Sequence, residues 1–234
     1  MLTFTDVNFR YKKNQPMIEG FTSTFEAGKT LLLGPNGAGK STLFALASGL
    51  LKPHSGHIDA PSGVGLMGQN VTPFQGLTVR EQIAYSGWLS GISMANSWQR
   101  SQEKLELVRL GDKANAKART LSGGQLRRLG IANTLIAATD VMLFDEPSAG
   151  LDLKESSNFY KVLGEACGPE KCVVVSSHQI EGLADFFDNV VLIVGGTIKF
   201  SGTFESFVAL GYELGARDQS QALVNAYSSF VDNE

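Results

Sequence analysis

Cysteine is scarce: Cys167 and Cys172 are the two in 234 residues, too few for a disulfide framework and without a His or further Cys at metal-ligand spacing. A reduced, cytosolic setting suits them. Charge is scarce too. Asp, Glu, Lys and Arg make up 18% of the chain and the net charge is −3, against a usual charged fraction of about 25%. No basic run exceeds Lys12-Lys13 or Arg127-Arg128, which argues against nucleic acid as a main partner. The comparatively neutral surface leaves room for a protein partner. Long apolar runs are also missing. The start, Met1 to Asp6, has neither the basic head nor the apolar core of a signal peptide, and Val190 to Val194 falls far short of the roughly 20 residues of a membrane span. The chain is not expected to cross a membrane by itself. What it does have is 43% hydrophobic residues, enough for one large domain, or one domain with an inserted lobe, without covalent staples.

Against this background one stretch stands out: Gly34-Pro35-Asn36-Gly37-Ala38-Gly39-Lys40-Ser41-Thr42. Leu31-Leu32-Leu33 ahead of it reads as the end of a buried strand, and Leu43 to Leu51 behind it as an apolar helix. Glycines at a strand-to-helix turn let backbone N–H groups point inward, and the helix start adds partial positive charge, so the turn suits a phosphate chain. Lys40 would reach the β- and γ-phosphates and the Ser41 hydroxyl would take one position on Mg²⁺.

Ahead of this loop, Leu2 to Phe4, Val7 to Tyr11 and Ile18 to Phe25 alternate as strands of a small antiparallel sheet, with a turn at Lys13-Asn14-Gln15-Pro16. Tyr11 ends such a strand; it is either an adenine-stacking ring or an ordinary surface tyrosine. After it, Gly56 to Asp59 begins a short strand, and Gly65-Leu66-Met67 delivers Gln69 into a loop, where its amide oxygen suits Mg²⁺ or an oriented water, or is merely solvated. From Thr78 to Ala118 the texture is helical. Tyr85, Trp88 and Trp98 are core by default there, with one or two free to line a docking surface. Leu121-Ser122-Gly123-Gly124-Gln125 then opens a helix from Leu126 to Ala137, with Ser122 as N-cap and a second anion-binding helix start in principle.

Val141-Met142-Leu143-Phe144-Asp145-Glu146 is an apolar run closing on two carboxylates, as expected of a central parallel strand whose C-terminal end faces a ligand. Asp145 would hold Mg²⁺ directly or through water, and Glu146 is placed as general base on an attacking water. Cys172 to Ser176 is another buried strand, and His178 just beyond it is either an ordinary structural histidine or, at the end of a strand neighbouring the carboxylate strand, placed to reach a γ-phosphate. Val190 to Val194 and Thr197 to Phe200 form a hairpin about Gly195-Gly196. Residues 203 to 234 read as helical and polar.

Taken in order, the Gly34–Thr42 loop, Gln69, Leu121 to Gln125, Asp145-Glu146, the Ser148-to-Asp152 turn and His178 resemble the ATP-binding cassette family of transport ATPases, over about residues 2 to 210. Tyr11 matches the family's adenine-stacking aromatic. The departures are mild: Gly68 stands where relatives often have proline and Ser148 where many have threonine. The resemblance implies an α/β fold with a P-loop NTPase core on a parallel central sheet, a small N-terminal antiparallel β subdomain and an inserted α-helical lobe. Residues 1–210 would form the ATPase domain, with a core of 1–70 and 138–210 and a lobe of 71–137; 211–234 would be a helical tail. It implies an ATPase using ATP and Mg²⁺, with nucleotide contacts from Tyr11, Gly34 to Thr42 and Gln69. Glu146, His178 and Lys40 would be catalytic, and Ser41, Gln69 and Asp145 would serve the metal. Two copies, or this chain and a close paralogue, would sandwich two ATP molecules, Ser122, Gly123, Gly124 and Gln125 of one completing the site of the other. The expected partners are transmembrane permease subunits, with this chain peripheral on the cytoplasmic face. A family member serving DNA repair or the ribosome would carry long insertions, and a nucleotide sensor would lack Glu146. Because the chain ends soon after the last hairpin and Gly76-Leu77-Thr78-Val79-Arg80-Glu81 looks like a segment common in exporters, export is preferred over uptake of a small solute.

Overall fold

The computed structural model describes residues 1–12, 15–60, 63–178 and 186–232; Lys13 and Asn14 of the expected turn lie outside them. In chain order the strands are β1 (Leu2–Lys12), β2 (Gln15–Phe25), β3 (Gly28–Leu33), β4 (Ser55–Asp59), β5 (Val64–Met67), β6 (Val141–Asp145), β7 (Cys172–Ser177), β8 (Asn189–Val194) and β9 (Thr197–Thr203). The helices are α1 (Lys40–Ala47), α2 (Val79–Leu89), α3 (Met94–Leu107), α4 (Gly123–Leu135), α5 (Leu153–Ala166), α6 (Phe204–Glu213) and α7 (Gln219–Val231). Strands β2-β1-β4 make a small antiparallel sheet. The expected pair Leu2–Phe4 and Val7–Tyr11 is one strand, bent at Asp6 (φ 49°), where its register with β2 slips.

The main sheet runs β5-β6-β7-β3-β8-β9, with every pairing parallel except β8 with β9. A strand's side chains alternate between faces, and here both faces are covered, which is why the strands are continuously apolar. Leu31, Leu33, Met142, Phe144, Val173 and Val175 join one core with Leu129 and Ile136, Phe159 and Leu163, and Phe207 and Leu223 from the helical side. Leu32, Leu143, Cys172 and Val174 join the other with Leu43 and Phe44 of α1 and Phe4 and Phe21 of the small sheet. Burying each such side chain contributes about 1.5–3 kcal/mol.

Register sets where the strands end. Leu33 pairs with Ser177, Asp145 with Ser176, and Met67 with Phe144. The residues that follow, Gly34, His178, Glu146 and Gln69, therefore leave the sheet along one edge.

Four further expectations change. Helix α1 starts at Lys40 and stops at Ala47, not Leu43 to Leu51: Gly39 closes the loop directly onto the helix, and Gly49 N–H donates to Leu46 O at 3.1 Å to end it. Helix α4 starts at Gly123, because Ser122 caps it. Residues 203 onwards are helical but not simply polar. Phe204, Phe207, Leu223 and Ala226 are buried, and a Cβ on Gly211 would sit 1.8 Å from Ala222 O, so α6 and α7 meet backbone to backbone; residue 210 lies within α6. The last change is in the stretch between β5 and β6, where Tyr85, Trp88 and Trp98 are 37%, 48% and 43% exposed rather than core. The inner face of α2 is taken by Val79, Gln82, Ile83 and Gly87. Outside, Tyr85 stacks on Trp88 at 5.5 Å and the Arg80 guanidinium lies over Trp98 at 4.1 Å.

Candidate active site

The Gly34–Thr42 loop leaves β3 and curls over its end. A Cβ on Gly34 would lie 2.3 Å from Ile193 O, so only glycine passes β8 there. Gly39 has φ 103°, and a Cβ on it would meet Ile18 Cδ1 at 2.7 Å. This left-handed residue turns the chain into α1 and leaves Lys40 as the first helical position. Lys40 is 5% exposed. Its amine donates to Gly34 O at 2.6 Å and Pro35 O at 3.1 Å and lies 3.7 Å from Glu146 Oε1. Burial holds it below the usual lysine range, with Glu146 and then Asp145 opposing.

Across the edge, Glu146 follows β6 with φ 44°, a left-handed conformation that costs a residue with a Cβ about 1–3 kcal/mol. Its N–H donates to Ser176 Oγ at 2.9 Å, and that hydroxyl donates to Asp145 Oδ1 at 2.6 Å. Ser176 thus orients both carboxylate residues, a role invisible in the sequence because it depends on the pairing of β6 with β7. His178 Nδ1 lies 3.1 Å from Glu146 Oε2, within ion-pair reach but off the line of a hydrogen bond.

Residues 36–42, with Gln69, Glu146 and Met17, line a cavity of about 140 Å³, the size of a phosphate group and its surroundings rather than a whole nucleotide. Tyr11 stands beside it, 60% exposed, with its hydroxyl 3.2 Å from Thr42 Oγ1 and its ring edge-on to Phe9. Ser41 and Gln69 line this cavity as oxygen ligands and Asp145, bonded to Ser176, does not; no group of three or more His, Cys, Asp or Glu that could hold a metal occurs among the described residues. That sparse set fits Mg²⁺, which keeps several waters and binds through one or two protein groups plus substrate phosphates.

Ser122, Gly123, Gly124 and Gln125 do not join this cavity. Ser122 Oγ accepts from Gln125 N–H at 3.3 Å, and Gln125 Oε1 accepts from Ser122 N–H at 3.0 Å, a reciprocal cap. Ser122, Gly124 and Gln125 line a separate cavity of about 310 Å³ with Arg109, Arg128 and Glu155. Two further polar residues escaped the sequence reading. Buried Gln82 clamps the loop after Gln69, accepting from Phe74 N–H at 2.9 Å and donating to Thr72 O at 3.1 Å. Arg127 donates to Gln69 O and, at 3.0 Å, to Ala149 O.

The family model for the ABC transporter matches residues 18–149. The chain belongs to the ABC transporter family. It is 31% identical over 222 residues to the energy-coupling factor transporter ATP-binding protein EcfA of Methanothermobacter thermautotrophicus, covering 87% of this chain and 71% of that protein. To EcfA1 of Thermotoga maritima it is 32% identical over 219 residues, covering 88% and 83%. Among solved structures, cbiO1 from Clostridium perfringens superposes with a TM-score of 0.80 at 23% identity, over 95% of this chain and 97% of that one. A dimeric ATP-binding cassette bound to ADP and Pi superposes with a TM-score of 0.75 at 22% identity, over 87% and 99%. The chain is an ATP-binding, ATP-hydrolysing subunit of an ABC transporter, with an α/β P-loop fold.

The preference for export finds no support. Its warrant in Gly76 to Glu81 is a helix start: Thr78 Oγ1 accepts from Glu81 N–H at 3.2 Å and Glu81 Oε2 accepts from Thr78 N–H at 2.7 Å. Any helix can carry such a capping box, so it is silent on direction. The two sequence relatives above are named as energy-coupling factor transporter ATP-binding proteins.

Proposed function

We propose that this chain holds Mg–ATP on residues 34–42 and hydrolyses it with Glu146 as general base, driving a solute through separate membrane subunits. One observation carries this reading: the Lys40 amine and the His178 imidazole flank the Glu146 carboxylate at 3.7 Å and 3.1 Å beside the phosphate-loop cavity. A triphosphate would draw the Lys40 amine off its loop carbonyls, charge-assisted bonds to phosphate being stronger than bonds to neutral oxygen. Glu146 would take a proton from water as its oxygen attacks the γ-phosphorus. The bond to the β,γ-bridging oxygen then breaks and ADP leaves. His178 and Gln69 orient the γ-phosphate and the water, Ser41 and Asp145 serve Mg²⁺, which neutralises phosphate charge, and Tyr11 stacks on adenine. Glu146→Gln is expected to bind ATP within about threefold of the parent and to turn over at least about a hundredfold more slowly. Near-parental turnover in single-cycle assays would remove Glu146 from this role.

Residues 1–70 and 138–210 serve as the nucleotide-binding core in this reading and 71–137 as the lobe, while 211–234 are a tail in which the end of α6 with α7 packs back on the core. The Ser122–Gln125 helix start completes the nucleotide site of a second ATPase subunit, a reading supported by its distance from its own chain's cavity and its open surface. No described helix is long and apolar enough to cross a membrane; the chain sits on the cytoplasmic face through its permease partners. A cavity of about 360 Å³ beside the Gln69 loop supports a docking site for them. Val71, Phe74 and Leu89 line it together with Asn133, whose buried Oδ1 accepts no hydrogen bond from the described residues. For direction, uptake of a small solute replaces export as the favoured reading, on the names of the two relatives. Vesicles containing the chain with its permease, given ATP outside or inside, decide it by where the solute accumulates.

A further inference from the structure

Arg127 and Arg128 are neighbours on α4, yet they reach opposite ways. Arg128 donates to Val108 O at 3.3 Å and Arg109 O at 2.9 Å, anchoring the helix to the end of α3. Arg127 turns to the sheet edge, where its two terminal nitrogens divide between two loops: Nη1 donates to Gln69 O and Nη2 to Ala149 O. The Ala149 peptide continues the connection, its N–H donating to Glu146 O at 3.1 Å. One planar guanidinium thus links the backbone of Gln69 to the turn that begins at Glu146, whose φ of 44° no helix or strand enforces. A fixed fork suits this task, since its two donors cannot change their separation.

We propose that Arg127 is a positioning residue for ATP hydrolysis, setting the spacing between the Gln69 loop and the Glu146–Gly150 turn so that Glu146 stands correctly over the phosphate loop. The inference rests on the reading of Glu146 as the base. Arg127 itself does not line the phosphate-loop cavity. Its loss therefore acts on the chemical step rather than on nucleotide affinity.

The test uses the full chain with Arg127→Met, Arg127→Lys, Arg128→Met and Glu146→Gln, measuring kcat and KM for ATP, ATP affinity by titration calorimetry, and Tm. Arg127→Met is expected to lower kcat about tenfold with KM and affinity within twofold, and Arg127→Lys, which keeps the charge and one carbonyl bond, to recover a large part of the loss. Arg128→Met reports what losing two carbonyl bonds from the same helix costs in Tm and in kcat. Parental kcat in Arg127→Met overturns the proposal. So does an equal fall of kcat and Tm in both methionine variants with no recovery by lysine, which makes Arg127 a helix anchor only. Should Glu146→Gln keep parental turnover, the reading of the base fails instead, and the two failures are told apart.

Discussion

Two helix starts in this molecule present glycines, and they are finished differently. At Gly39-Lys40 the loop is shut in by β8 and β2, the first helical side chain is a buried lysine, and the Glu146 carboxylate just past the end of β6 faces it. At Ser122-Gly123 the first turn caps itself reciprocally, and a Cβ on Gly123 would meet nothing within 4 Å among the described residues. A helix start attracts anions in both places, but only the first faces the Glu146 carboxylate, while the second opens on a separate cavity with Arg109, Arg128 and Glu155. Ser122 and Gly123 at the second start are exposed, which is why we propose that surface for the nucleotide of another subunit.

The largest test of this contrast is Gly39→Val. Its side chain would have to occupy a left-handed backbone and displace Ile18, a strain of about 1–3 kcal/mol before packing is counted. ATP affinity is expected to fall more than tenfold by calorimetry, with a lower Tm; parental affinity would mean that loop shape does not define the first site. Ser122→Ala comes next. Losing the cap costs about 1 kcal/mol, read in denaturant melts, while the single chain's ATP affinity stays within twofold and turnover under dimerising conditions falls. A drop in single-chain affinity as large as that of Gly39→Val would merge the two sites into one. The smallest effect is expected for Gly123→Ala, whose stability rises by no more than the roughly 0.5–1 kcal/mol that separates Ala from Gly inside a helix. In a Glu146→Gln background, light scattering should nonetheless show weaker ATP-induced dimerisation. Unchanged dimerisation would clear that surface of any role in the sandwich.

The same contrast bears on what could be read from the chain beforehand. The Gly34–Thr42 loop was legible because a glycine pattern between a buried strand and an apolar helix is local information. So was the cap at Ser122, although α4 began three residues earlier than the apolar pattern suggested, since glycines carry no hydrophobic signal. The aromatic residues of α2 and α3 were misplaced for a related reason. Periodicity finds a stripe but does not say which of two stripes is inside, and Gln82, a polar residue, holds an inner position by bonding the backbone at Thr72 and Phe74.

By itself, the sequence determined that strands about Leu31–Leu33, Val141–Asp145 and Cys172–Ser176 would be buried, and that phosphate-binding and carboxylate residues would follow their ends. Runs of apolar residues and the turns that interrupt them are properties of neighbouring positions. Only the tertiary structure decided that these ends lie along one edge. It brought Ser176 between Asp145 and Glu146, and it turned Arg127 to join Gln69 to Ala149 while Arg128 faces away. Those meetings depend on the register of strands and the packing of helices far apart in the chain, which no local pattern encodes.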